Sequence, residues 1–169
     1  MGPVTGQRLA IAPLTAAAFA PFGEVIEAEG RASYPINAGT ARRFDDLARV
    51  DVGAAGGKPL VGLCRAEPIA LPFRVRLMER HPLGSQAFMP LSPTPFLVVV
   101  APPSPAPRAE AIRAFRSNGR QGINYARGTW HHPLLALERT SDFLILDRGG
   151  EGENCEEVPV EDLGLLIGA

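Results

Sequence analysis

The sequence predicts an all-β protein, a sandwich or barrel of short strands, and three features carry that prediction. Its 18 glycines and 17 prolines are scattered through 169 residues and separate short apolar runs. Those runs recur at roughly ten-residue intervals, the spacing of strands joined by turns. The longest, Pro95 to Pro103 (PFLVVVAPP), is bounded by prolines and too short to cross a bilayer.

In chain order, Thr15 can cap a short helix over Ala16 to Ala20, ended by Pro21 and Gly23. A second short helix is expected over Asp45 to Arg49. Strands are expected at Glu24–Glu27, Leu60–Arg65, Phe73–His81, Gln86–Leu91, Phe96–Ala101, Gln121–Tyr125, His131–Leu137 and Phe143–Asp147. The segment PRAEAIRAF (107–115) reads either as a helix or as a stretch ending in a strand. PPSPAP (102–107) reads as a stiff surface connection. From Glu156 the chain is acidic and then apolar (VEDLGLLIGA at its end), which suits packing back on the barrel or across a subunit interface.

Composition excludes several classes of function. Lys and Arg number 17 against 18 Asp and Glu, a formal net charge of −1, and no long basic tract marks a nucleic-acid partner. No basic amphipathic helix suggests a membrane surface. The opening MGPVTGQRLAIAPLT lacks a charged segment followed by a long apolar one, so no secretion signal is expected. Cys64 and Cys155 are far apart and form no metal or redox motif; Cys64 is expected as a buried thiol and Cys155 in a loop. A reducing cytoplasm is the simplest setting for such thiols. The chain is long enough to build one core without staples.

The chemistry concentrates in two places. Side chains alternate along a strand, so Phe73, Val75, Leu77, Glu79 and His81 share one face, opposite Arg74, Arg76, Met78 and Arg80. The first face begins apolar and is expected inward, which carries a carboxylate and an imidazole inside. Gln86 begins the next strand and can meet them across the turn. Buried ionisable groups need partners, so Glu79 either pairs with an arginine at the rim or belongs to a metal or acid–base site. The second place is Gly128-Thr129-Trp130-His131-His132-Pro133, where alternation lets only one of the two histidines join the inward set. All three histidines of the chain lie in these two segments.

The stretches MERHPLGSQAFMPL, PFLVVVA, RAFRSNGRQGINYARGTWHHPLLAL and DFLILDRGGEGENCEE, in that order, resemble the ureidoglycolate lyase family, as do LTAAAFAPFGEVIE and the RAEP segment. The resemblance covers nearly the whole chain. It implies a single domain over 1–169, folded as a cupin-type double-stranded β-helix barrel with one or two short peripheral helices. Against the cupin pattern, Glu79-Arg80-His81 takes the place of HxH, Gln86 that of the spaced carboxylate, and Arg127 to His131 that of the later histidine segment. His131 is thereby the inward histidine.

By the same resemblance the reaction is cleavage of (S)-ureidoglycolate to glyoxylate and urea in allantoin and purine degradation. Glu79, His81 and His131 are the implied acid–base residues. Arg65, Gln86, Asn37, Arg43, Asn124 and Tyr125 are candidates for binding the substrate; Arg65 shares a strand face with Val61 and Leu63, which aims it inward. Either no cofactor is needed or a divalent ion is held by Glu79, His81, Gln86 and His131. A homodimer is the expected assembly. The competing classes are another metal-dependent cupin enzyme, an isomerase or dioxygenase, and a non-catalytic cupin that binds a small organic acid.

Overall fold

A computed structural model describes residues 6–168. Residues 1–5, part of the stretch read for a secretion signal, and residue 169 lie outside the described residues. The chain is mostly short strands in two large and two small sheets.

The larger sheet runs in the order Glu156–Pro159, Leu77–Arg80, Trp130–His131, Phe96–Ala101, Arg113–Arg116, Ile11–Pro13, and Leu135–Ala136 also pairs with Phe96–Ala101. The second runs Gly23–Ile26, Gly122–Tyr125, Gln86–Pro90, Ser141–Gly149, Lys58–Ala66. Gln7–Leu9, Leu165–Ile167 and Phe73–Arg74 form a three-stranded sheet, and Tyr34–Ile36 with Ala41–Arg43 a hairpin.

The expected cupin-type closed barrel is not what forms. Among the described residues no sheet closes on itself; each large sheet ends in two edge strands. Pro13, Pro159 and Pro59 stand in three of those edges, in Ile11–Pro13, Glu156–Pro159 and Lys58–Ala66. Proline offers no N–H to a further ladder, which is why it settles at sheet edges.

Two cores follow. Phe88, Ile123, Tyr125 and Phe143 of the second sheet pack with Phe96, Val98, Val100 and Phe115 of the first. The other face of the first sheet buries Leu97, Val99, Ala114 and Trp130 with Val75, Leu165 and Ile167. Phe96–Ala101 is thus buried on both faces, which is why its sequence is continuously apolar instead of alternating. The apolar end of the chain packs back: Leu165, Leu166 and Ile167 are all buried.

Four local expectations change, one of them the strand expected over His131–Leu137, which forms as two short strands, Trp130–His131 and Leu135–Ala136. The helix over Ala16–Phe19 forms with Thr15 as its cap, its side chain accepting from the Ala18 N–H, but Asp45 to Arg49 forms none and Asp46 takes a left-handed φ of 53°. The segment after Pro107 is a single 3-10 turn, Ala109–Ala111, followed by the strand Arg113–Arg116. The run Phe73–His81 is broken: Phe73–Arg74 joins the C-terminal sheet, the Val75 N–H bonds to the Leu165 carbonyl, and Leu77–Arg80 joins the large sheet.

Candidate active site

Glu79 and His131 are direct partners in the ladder between Leu77–Arg80 and Trp130–His131, so their side chains share a face. His81 lies two residues beyond Glu79 and returns to that face. The three groups meet there. His81 Nε2 is 3.9 Å and His131 Nδ1 3.7 Å from Glu79 Oε1, and the imidazole centroids are 5.2 Å apart.

The alternate residues brace the site from behind. The Arg80 guanidinium lies 4.6 Å over the Trp130 ring, and both donate to the Ser104 carbonyl in the proline-rich loop, at 2.8 and 3.0 Å. Arg80 also pairs with Glu156 at 2.6 Å. His132 faces away from the cluster, packs edge-on against Phe73 at 5.3 Å and donates from Nδ1 to the Pro133 carbonyl.

Two further groups come from the facing sheet. The Tyr125 ring stacks on His131. Gln86 is the ladder partner of Tyr125 and therefore shares its side. Its amide Nε2 donates to Asp147 at 3.3 Å, while its Oε1 is buried with no hydrogen-bond partner among the described residues.

Burial sets the electrostatics. His131 is fully buried, and desolvation, helped by the nearby His81, pushes its pKa down to about 3. It is a neutral lone-pair donor at physiological pH, not a proton carrier. Glu79 is pushed the other way: burial raises its pKa above the usual carboxylate range, and His81 opposes the shift. A carboxyl raised toward neutrality is suited to taking and returning a proton. Burial also holds the Tyr125 phenol protonated, well above its ordinary value.

The remaining sequence candidates lie elsewhere. Asn124 faces the opposite side from Tyr125 and donates to Glu24 at 2.8 Å and the Arg49 carbonyl at 3.0 Å. Asn37 is exposed in a 3-10 turn of the Tyr34–Arg43 hairpin, and Arg43 is exposed and paired with Asp45. Arg65 shares its strand face with Val61 and Leu63, but all three are exposed, and Arg65 makes a two-pronged pair with Asp142 at 2.7 and 2.9 Å. Two neighbours of the site escaped sequence reasoning. Cys155 Sγ lies 3.9 Å from Glu79 Oε2, and the Asn154 carbonyl lies 2.7 Å from His81 Nδ1. Both belong to a loop 73 to 76 residues distant in sequence.

The cluster fits a divalent ion. One nitrogen of each imidazole and one Glu79 oxygen lie within 4.8 Å of one another, and a mixed nitrogen and oxygen set suits such ions. His81 Nε2 and His131 Nε2 are buried and hydrogen-bond to nothing among the described residues.

Residues 6–167 match the family model described as ureidoglycolate lyase. A protein of Burkholderia mallei named ureidoglycolate lyase is 58% identical over 151 residues, 89% of this chain and 88% of its own. Proteins of the same name from Burkholderia cepacia and Pseudomonas entomophila are 55% and 54% identical; they cover 90% and 95% of this chain, and 86% and 96% of their own lengths.

Proposed function

The chain belongs to the ureidoglycolate lyase family, and from that premise we propose that its Glu79–His81–His131 cluster carries the elimination. The protein is a carbon–nitrogen lyase that cleaves ureidoglycolate to glyoxylate and urea. The meeting of a raised carboxyl with two imidazoles, one neutral and fully buried, carries the assignment of the site.

The reaction needs little beyond proton movement. The substrate carbon bears a carboxylate, a hydroxyl and a ureido nitrogen. The hydroxyl loses its proton, its electrons form the aldehyde C=O, the C–N bond breaks, and the nitrogen leaves protonated as urea. The net change is one proton moved from oxygen to nitrogen, so a single group can take it and hand it on. Glu79 is the proton carrier in this reading. His81, at the edge of the cluster, presents its Nε2 to the hydroxyl, and His131 behind it fixes the arrangement. Gln86 and Tyr125 are the neutral groups placed to orient the substrate. A divalent ion held by Glu79, His81 and His131 would supply a Lewis acid for the substrate oxygens.

Two features bear on setting and assembly. Neither described cysteine is in a disulfide, as suits a reducing cytoplasm. The outer face of the second sheet leaves Val61 and Leu63 each 68% exposed beside Leu144, and a homodimer through this face would cover them. No helix among the described residues is long and apolar enough to cross a membrane.

The test is release of glyoxylate and urea from (S)-ureidoglycolate, with and without a chelator. Wild-type turnover abolished in Glu79→Gln supports the site; full turnover in that variant rejects it. Chelator-insensitive turnover rejects only the ion.

A further inference from the structure

We propose that Asn154 is a positioning residue for this site, a role that rests on reading His81 as one of its working groups. The Asn154 carbonyl lies 2.7 Å from His81 Nδ1. A carbonyl can only accept, so Nδ1 carries a hydrogen, and in the neutral ring the lone pair is on Nε2. That Nε2 is the buried, unpartnered atom 3.9 Å from Glu79. The side chain of Asn154 works in parallel: its Oδ1 accepts the Leu83 main-chain N–H at 2.8 Å. One residue therefore grips the imidazole through its backbone and the following turn through its amide.

The loop bearing Asn154 has a firm base. Arg148 is buried beneath it, donating from Nε to the Ala54 carbonyl at 3.0 Å and from Nη2 to the Glu151 carbonyl at 2.8 Å. Glycines let the loop and the turn close on each other. A Cβ on Gly84 would come within 2.7 Å of the Arg148 Cβ, and one on Gly152, whose φ is +98°, within 2.9 Å of Leu83 Cδ1. The stretches HPLGSQ and DRGGEGEN thus form one unit whose product is the aim and tautomer of His81. Without the Asn154 amide the Leu83 N–H loses its acceptor, the loop is released from the turn, and the ring is free to turn or to move its hydrogen to Nε2.

Only three histidines are present, so side-chain nitrogen NMR resolves each ring, with His81 assigned through His81→Gln. In the wild type His81 should hold its hydrogen on Nδ1. Asn154→Ala should lose that single-tautomer signature and lower kcat about 10–100-fold, the usual effect of removing a group that orients a working imidazole. Asn154→Asp keeps an acceptor for Leu83 and should restore both. A wild-type His81 protonated on Nε2 overturns the proposal and needs no variant to fold. So does Asn154→Ala with wild-type tautomer and kcat. Full turnover in His81→Gln would instead overturn the reading of the site, leaving the tautomer result standing.

Discussion

The Tyr125 ring lies flat on the His131 imidazole, with centroids 4.0 Å apart and planes 5° from parallel. The two residues come from different sheets, so the stack bridges the core between them. It fixes the plane of a ring whose Nε2 has no hydrogen-bond partner among the described residues.

Tyr125 variants should separate stacking from the hydroxyl. Tyr125→Phe retains the ring and is expected to keep the fold and most of kcat, with a higher KM if the phenol meets the substrate. Tyr125→Ala empties a buried site and should cost about 3–5 kcal/mol, the range for aromatic truncation, and kcat should fall as His131 loses its support. Urea unfolding and steady-state kinetics on both variants check this. Equal kcat in the two would show that the stack does not position His131.

The histidines should divide by face. His81→Ala is expected to lower kcat by about 10²–10⁴, the usual range for a positioned acid–base group, and His131→Ala to lower it as well, because the group that fixes the arrangement is lost. His132→Ala should act on stability instead, because its contacts are Phe73 and the Pro133 carbonyl. Circular dichroism beside single-turnover rates distinguishes the two effects. A folded His81→Ala, His131→Ala double variant with near-normal turnover would refute the mechanism.

How much of this was legible depended on which side of a strand a residue needed to know. Phe96–Ala101 was plain, because a strand buried on both faces has no alternation to misread. Glu79 and His81 fell together by the two-residue period, although Phe73 and Val75, which set the expected facing, belong to the outer core beyond the break. Arg65 was given the right face and the wrong environment: Val61 and Leu63 are apolar and yet exposed, and a single sequence does not distinguish an apolar surface from a core. Closure of a barrel depends on whether edges pair, and only Pro13, Pro59 and Pro159 hinted that they do not. Asn154 left no sequence signal because it meets His81 through its main chain.

Arg65→Ala is therefore expected to leave KM for ureidoglycolate unchanged. Its side chain is 73% exposed and its guanidinium engaged with Asp142 on the outer face, and such exposed pairs add little to stability. Substrate titration of the variant is the check. A severalfold rise in KM would place Arg65 at the substrate and require a different arrangement of the second sheet or a contribution across a subunit interface.

Acid should loosen the fold through His131. Unfolded, the imidazole takes a proton near its ordinary 6.5; folded, burial holds it neutral until about pH 3. Between those values the unfolded chain binds more protons, so this contribution is complete above about pH 6.5 and is lost as pH falls toward 3. Its size is on the order of a few kcal/mol. His132, also shifted down by burial, acts in the same direction. Glu79 acts oppositely: its raised pKa favours the fold at acid pH, and that advantage is lost as pH rises through its folded value. Urea midpoints at pH 7 and pH 4.5 should therefore differ more in the wild type than in His131→Gln, where the largest titrating difference is gone. Parallel losses in the two proteins would mean that acid sensitivity arises elsewhere and that His131 is not held neutral by its burial.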